Sequence, residues 1–309
     1  MRKLLVIRLS ALGDVAMVVA VLRQAALLHP ENDYTLLSRP RMQALLVDAP
    51  ANLHFLAYGQ PIDWQEFDIV LDAHSVWRSR AIDIQARLHG KRVKRIRKPR
   101  LRRWLLMRGK RGTVPSMLDL YARLFSLSTL NSKLDGFSQL STLNSQLSKS
   151  GIGIAPFAAH RGKVYPLDKM AEVIADLSKG AEPIYLFGFG EEEKRICEAW
   201  EKQYPHVVSL VGKHTMSEEL EIMRSLRVML TMDSGNMHLA SLVGTRVISV
   251  WGATHPKMGF MGYGQSLDDG VTLNLPCSPC SAYGNKPCRF GDYRCLKINP
   301  HDIANRLSK

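Results

Sequence analysis

Residues 8–17, RLSALGDVAM, separate the apolar run KLLVI (3–7) from a mostly apolar stretch, VAMVVAVLRQAALL (15–28). A short buried strand released through a tight turn into a buried helix is the opening of a βαβ unit. Only Gly13 removes the Cβ obstruction in this turn, so it does not form a three-glycine dinucleotide loop, and dinucleotide binding is not expected. That leaves the role of Asp14 open. An Asp at a helix start serves as an N-cap. A carboxylate at a strand exit also serves as a general base toward a hydroxyl.

Outward from this turn the pattern repeats. YTLLS (34–38), LHFLAY (53–58) and DIVLDAH (68–74) read as further short strands among helical stretches. A second series begins at GIGIAPF (151–157), with PIYLFG (183–188), VVSLVG (207–212), VMLTM (228–232) and RVISVWG (246–252) as strands. The intervening segments PLDKMAEVIADLSK, EEEKRICEAWEKQY, SEELEIMRSL and SGNMHLASLVG read as helices. Strands alternating with helices imply parallel sheets with right-handed crossovers. A chain of 309 residues is long enough for two domains. Between the two series, residues 126–150 are rich in Ser and Asn and carry the near-repeat STLNSKL/STLNSQL, which reads as a linker insertion. The expected organisation is α/β: a Rossmann-like domain at 1–125, the linker at 126–150, and a second Rossmann-like domain with a Cys-containing tail at 151–309. A cleft is expected between the domains, with ligands at the carboxyl ends of the strands.

The second strand exit is TMDSGNMHLASLVGTRVISVWGATHP (231–256). A strand ends at Asp233, and Ser234 and Gly235 open a helix whose first N–H groups lack partners within the helix. Such a terminus binds phosphate through free donors and its positive dipole end. His238 lies one turn along on the same face. A capped helix with a buried His accounts for Asp233 and Ser234 but not for the whole cluster.

VIRLSALGDVAM and MDSGNMHLASLVGTRVISVWGATHP resemble the two signatures of glycosyltransferase family 9, the ADP-heptose:lipopolysaccharide heptosyltransferases. IVLDAHSVWRSR (69–80), RGKVYPLDKMAEVI (161–174) and the Cys-containing tail extend the similarity. The resemblance implies a GT-B architecture, with the acceptor on the first domain and the nucleotide sugar on the second. It implies an inverting transfer of heptose from ADP-heptose to the lipopolysaccharide inner core. Asp14 is then the general base. Lys163 contacts the diphosphate, Glu191 the donor ribose and Met216 the adenine, and Asp233, Ser234, Gly235 and His238 complete the donor site. Gly13, Arg78, Arg102 and Arg103 are expected on the acceptor side. A first-turn helix Glu and a core Met explain Glu191 and Met216 equally well. Two departures from the family pattern stand out. FAAHRG before Lys163 places Ala159 where relatives often have a hydroxyl, and DAHSVWRS carries Trp77 at a position often small and polar.

The net charge of +14 is local. Residues 91–112 hold 12 of the 42 Lys and Arg and no acid, leaving 30 basic against 28 acidic residues elsewhere. An anionic lipid-linked saccharide at a membrane surface suits such a run, and RLRRWLLMRGKR reads as an interfacial helix. A solvated basic face is the plain alternative. Nucleic acid is not expected, since no nucleic-acid module accompanies the charge. A hydrophobic fraction of 46% excludes wholesale disorder. No apolar run reaches the length of a membrane span and no cleavage site follows the N-terminus, so a cytoplasmic protein, peripheral on the inner membrane face and monomeric, is expected. Cys277, Cys280, Cys288 and Cys295 could hold structural zinc, but their spacing is not the paired form, and neither a catalytic metal nor another cofactor is expected. The nearest rival is the same fold using a different nucleotide sugar or acceptor glycan; from a different class, a basic two-domain protein binding polyanions without turnover is the other, and Asp14, Lys163 and the 233–238 cluster speak against it.

Overall fold

The computed structural model describes residues 1–109, 114–127 and 149–308. These fall into two compact units.

The first unit comprises 1–99 and, of the described residues beyond, 115–127. Its strands are β1 (Arg2–Ile7), β2 (Asn32–Ser38), β3 (Leu53–Ala57), β4 (Ile69–Asp72) and β5 (Arg92–Arg95). They form a parallel sheet in the order β3-β2-β1-β4-β5. Helix α1 (Leu12–Leu28) is buried around most of its circumference, which is why its sequence reads apolar all round rather than as one stripe. Helix α2 (Trp77–Leu88) packs Ile82 and Ala86 into a core with Leu5, Ile7, Leu37 and Val70. Strand β5 lies inside the basic run, where no strand is expected from the sequence. An edge strand tolerates such charges: Arg92 is exposed, and Arg95 pairs with the buried carboxylates of Asp72 and Asp83. Helix α3 (Arg100–Met107) follows, and α4 (Met117–Leu124) packs on α1.

The second unit holds 149–308 together with 100–109 and 114. Its strands are β6 (Ile152–Ala155), β7 (Ile184–Leu186), β8 (Val207–Ser209), β9 (Val228–Met232), β10 (Arg246–Val250) and β11 (Gly270–Val271), in the order β11-β10-β9-β6-β7-β8. Counted within each unit, both sheets follow the Rossmann order 3-2-1-4-5, the second with a sixth edge strand. The helices of this unit are α5 (Leu167–Leu177), α6 (Glu191–Gln203), α7 (Met216–Ser225), α8 (Gly235–Leu242) and α9 (Pro300–Leu307).

The expected break at residue 125 needs correction, since α3 belongs with the second unit. Arg103 explains it: buried, it donates to the Met258 carbonyl at 3.2 Å and lies over the Phe260 ring at 4.3 Å. Most of the expected linker, 128–148, lies outside the described residues, as do 110–113 of the basic run. No helix among the described residues is long and apolar enough to cross a membrane.

Candidate active site

In a Rossmann-ordered sheet the order of the strands reverses between the first and fourth strands, and ligands collect outside the carboxyl ends there. In the first unit this point lies between β1 and β4. Residue Arg8 follows β1 directly, and its buried guanidinium donates from one nitrogen to the Ala73 carbonyl at 2.9 Å and pairs through the other with Asp14 Oδ2. Its backbone is held as firmly: its N–H donates to Leu37 O at 3.1 Å, and its carbonyl accepts the Ser38 hydroxyl at 2.6 Å. Asp14 is the third residue of α1, not its cap; Ala11 occupies the N-cap without a side-chain bond. The cap role is therefore set aside, and the carboxylate belongs to a buried arginine. Gly13 is buried beside it.

Across the same switch point, Asp72 ends β4. Its carboxylate accepts the N–H groups of His74 and Ser75, each at 2.8 Å, and the Ser79 hydroxyl at 3.0 Å, fixing the turn into α2. Lys98 caps that turn from outside by donating to the His74 carbonyl at 2.7 Å. The His74 ring is buried, its Nδ1 without a partner among the described residues. Burial, then the charges of Arg8 and Lys98, push its pKa down to about 4. His74 is therefore neutral at physiological pH. Behind it, Asp83 shares Arg95 with Asp72, and burial pushes Asp83 up to about 6. Arg78 is exposed on the first turn of α2, 5.1 Å from the centre of the Trp77 ring.

The second unit repeats the arrangement. Between β6 and β9, Lys163 Nζ pairs with Asp233 Oδ2 at 2.9 Å. The lysine stem is held by close backbone approach: a Cβ on Gly284, at φ +73°, would lie 2.5 Å from Lys163 Cγ. Next to Asp233, Ser234 takes the N-cap of α8 without capping it, and its buried hydroxyl has no hydrogen-bond partner among the described residues. A buried, unmatched hydroxyl at a helix N-terminus is a donor awaiting an acceptor. Gly235 opens the helix and His238 is buried one turn on. Glu191 is the exposed first residue of α6; its neighbour Glu193 instead folds back to accept the Phe189 N–H at 2.7 Å. Met216 is half-buried on the first turn of α7, behind a Thr215–Glu218 capping box, and is not part of the core.

The structure thus gathers Lys163, Asp233, Ser234, Gly235 and His238 at one switch point, and Gly13 and Asp14 at the other. Arg102 is exposed on α3, whereas Arg103, expected on the acceptor side, is committed to partners inside the second unit. The four tail cysteines are free thiols lining one small apolar cavity. Among the described residues no three His, Cys, Asp or Glu side chains stand close enough to hold a metal ion. The sequence reading passes over Arg8, His74 and Lys98. The signal for Arg8 was available, because a charge closing an apolar strand needs a buried partner.

The family model of glycosyltransferase family 9 (heptosyltransferase) matches residues 55–291. A stretch of 167 residues is 25% identical to lipooligosaccharide heptosyltransferase 2 of Campylobacter jejuni, covering 52% of this chain and 51% of that protein. The chain spans about half the length of the curated relatives it matches. Among solved structures, E. coli heptosyltransferase WaaC with ADP superposes with a TM-score of 0.67 at 16% identity, covering 99% of both chains. A glycosyl transferase family 9 protein from Veillonella parvula gives 0.69 at 17% identity, covering 99% of this chain and 96% of that one. At these identities the likeness is one of fold.

Proposed function

Because this chain belongs to glycosyltransferase family 9, we propose that it moves a heptose from ADP-heptose onto the inner core of lipopolysaccharide, with inversion at the anomeric carbon. The observation that carries this reading is the pair of ion pairs at the two switch points. In the first unit the carboxylate is the more exposed partner, and in the second the ammonium is.

Asp14 takes the proton of the acceptor hydroxyl as its oxygen attacks the anomeric carbon. Arg8 holds Oδ2 and leaves Oδ1 for that hydroxyl. The bond from the anomeric carbon to the diphosphate oxygen breaks, and its electron pair leaves with ADP. Lys163, the Ser234 hydroxyl and the free N–H groups opening α8 receive the growing negative charge. With donors already fixed there, the transfer needs no divalent metal, and EDTA is expected to leave the rate unchanged. Glu191 is assigned to the ribose and Met216 to the adenine.

The basic helix α3 is assigned to the membrane surface, on the inner face of the cytoplasmic membrane. It exposes Leu101 and Trp104, and Arg108 lies 3.9 Å from the Trp104 ring centre. Binding to vesicles containing anionic lipid, weakened by salt, is expected.

A panel of nucleotides in a thermal-shift assay tests the donor. Selective stabilisation by ADP is the expected result, and a preference for uridine or guanosine diphosphates would overturn the adenine assignment.

A further inference from the structure

The first unit contains a cavity of about 320 Å³ that the roles above leave unused. It opens at the same end of the sheet as Asp14. Leu37 is the penultimate residue of β2, Tyr58 and Gln60 follow β3 directly, Trp64 closes one side, and Arg78 and Gln85 project from α2.

Its lining has a distinct chemistry. Two aromatic side chains and two amides are joined by one cation, Arg78, and no acid. Amides both donate and accept, as the hydroxyls of a sugar do, and an aromatic wall suits the C–H face of a pyranose. A phosphate or nucleotide would call for several cations or a helix terminus, which the second unit supplies and this cavity does not. The volume lies at the low end of ligand pockets, room for one sugar ring and too little for a nucleotide sugar.

The walls are also fixed in advance. The Tyr58 N–H donates to Ser38 O at 2.7 Å and the Gln60 N–H to Ala57 O at 3.1 Å, about a Gly59 at φ +109°, a conformation that favours glycine. Trp64 is stacked on His89 with ring centres 5.7 Å apart. The same backbone leads to the reacting carboxylate: Leu37 O accepts the Arg8 N–H, the Ser38 hydroxyl donates to the Arg8 carbonyl, and Arg8 grips Asp14.

We infer that this cavity is an acceptor subsite, holding one neutral pyranose of the acceptor glycan at the end of the first sheet where Asp14 stands. The inference rests on the transferase reading above and names which part of the acceptor the first unit recognises. Tyr58, Gln60, Gln85 and Arg78 set its specificity.

The test combines kinetics with a readout that needs no turnover. Tyr58→Ala and Gln85→Ala alter exposed side chains and preserve the fold, and Ala81→Trp fills the cavity from α2. With ADP-heptose and a deacylated inner-core acceptor, each variant is expected to raise the acceptor KM about tenfold, as for removal of one or two hydrogen bonds, with kcat at saturation and ADP affinity kept. Saturation-transfer NMR with a neutral methyl heptopyranoside should show binding to the wild type and none to Ala81→Trp. An unchanged acceptor KM, with the glycoside still bound by Ala81→Trp, would overturn the subsite while leaving the transferase intact. Glycoside binding abolished by Ala81→Trp, but no turnover by the wild type with any nucleotide sugar, would uphold the cavity and remove the transferase. Tighter, Arg78-dependent binding of a phosphorylated glycoside would overturn the neutral-ring assignment.

Discussion

The two units present the same device with opposite polarity. In the first, the Arg8 side chain is 4% exposed and its partner Asp14 30%; in the second, Asp233 is 6% exposed and its partner Lys163 16%. Each buried partner sits just past the end of a central strand, where taking a charge out of water is tolerated only because the partner compensates it. What reaches solvent is the other member, held in a fixed direction beside its counter-charge. A buried cation thus presents a carboxylate suited to taking a proton, and a buried carboxylate presents an ammonium suited to holding an anion. In the proposed transfer, one fold duplicated with the polarity reversed would supply the base from one unit and the anion-holding cation from the other.

The sharpest way to break this comparison is Asp14→Asn. The amide still accepts from Arg8 but takes no proton, so kcat should fall about 10³-fold, the scale of a general base, with ADP affinity from calorimetry nearly unchanged. Equal losses in both would mean that Asp14 only supports the fold. Lys163→Met acts on the other polarity and should behave differently. It strands the more deeply buried Asp233, so stability in denaturant should drop by about 3 kcal/mol and ADP binding should weaken at least tenfold. Unchanged ADP affinity would separate Lys163 from the donor.

The next effect concerns the first unit alone, where two buried groups titrate in opposite senses. The unfolded chain protonates His74 near 6.5 and the folded protein near 4, so stability is lost as pH falls through that window. Asp83 is protonated near 6 in the folded protein and near 3.8 unfolded, so stability is gained over nearly the same window. Each tenfold difference in proton affinity between the folded and unfolded chain is worth about 1.4 kcal/mol. Relative to the wild type, His74→Asn should therefore gain stability in urea between pH 7 and pH 4.5, and Asp83→Asn should lose it; identical slopes in the two variants would remove both assignments. The smallest effect belongs to Arg8→Lys, which keeps the cation but not the two-pronged grip on Asp14 and Ala73. About a fivefold loss in kcat with ADP affinity intact is expected, and an unaltered kcat would show that charge alone positions Asp14.

Much of the fold is legible in the linear pattern. Strand β9 appears at the expected residues because VMLTM is a short apolar run buried on both faces and bounded by polar residues. Of the site, Asp233, Ser234 and Gly235 are readable, since a strand ending in an acid and a small-residue helix start has a local meaning. Strand β5 is not readable, because an edge strand of Arg, Val and Lys carries no apolar signature. The role of Arg103 is hidden as well, since among so many cations nothing local marks the one that turns inward.

The sequence by itself determined the alternation of strands and helices, hence two parallel sheets, and placed Asp14 and Asp233 in the stretches that follow strands. Only the tertiary structure decided which charges are buried. The buried Arg8 guanidinium reaches the Ala73 carbonyl, 65 residues away, as well as Asp14, and Arg103 reaches the Met258 carbonyl, 155 residues away. Periodicity is written in neighbouring residues, whereas the desolvation of a charge is set by whatever distant chain packs against it.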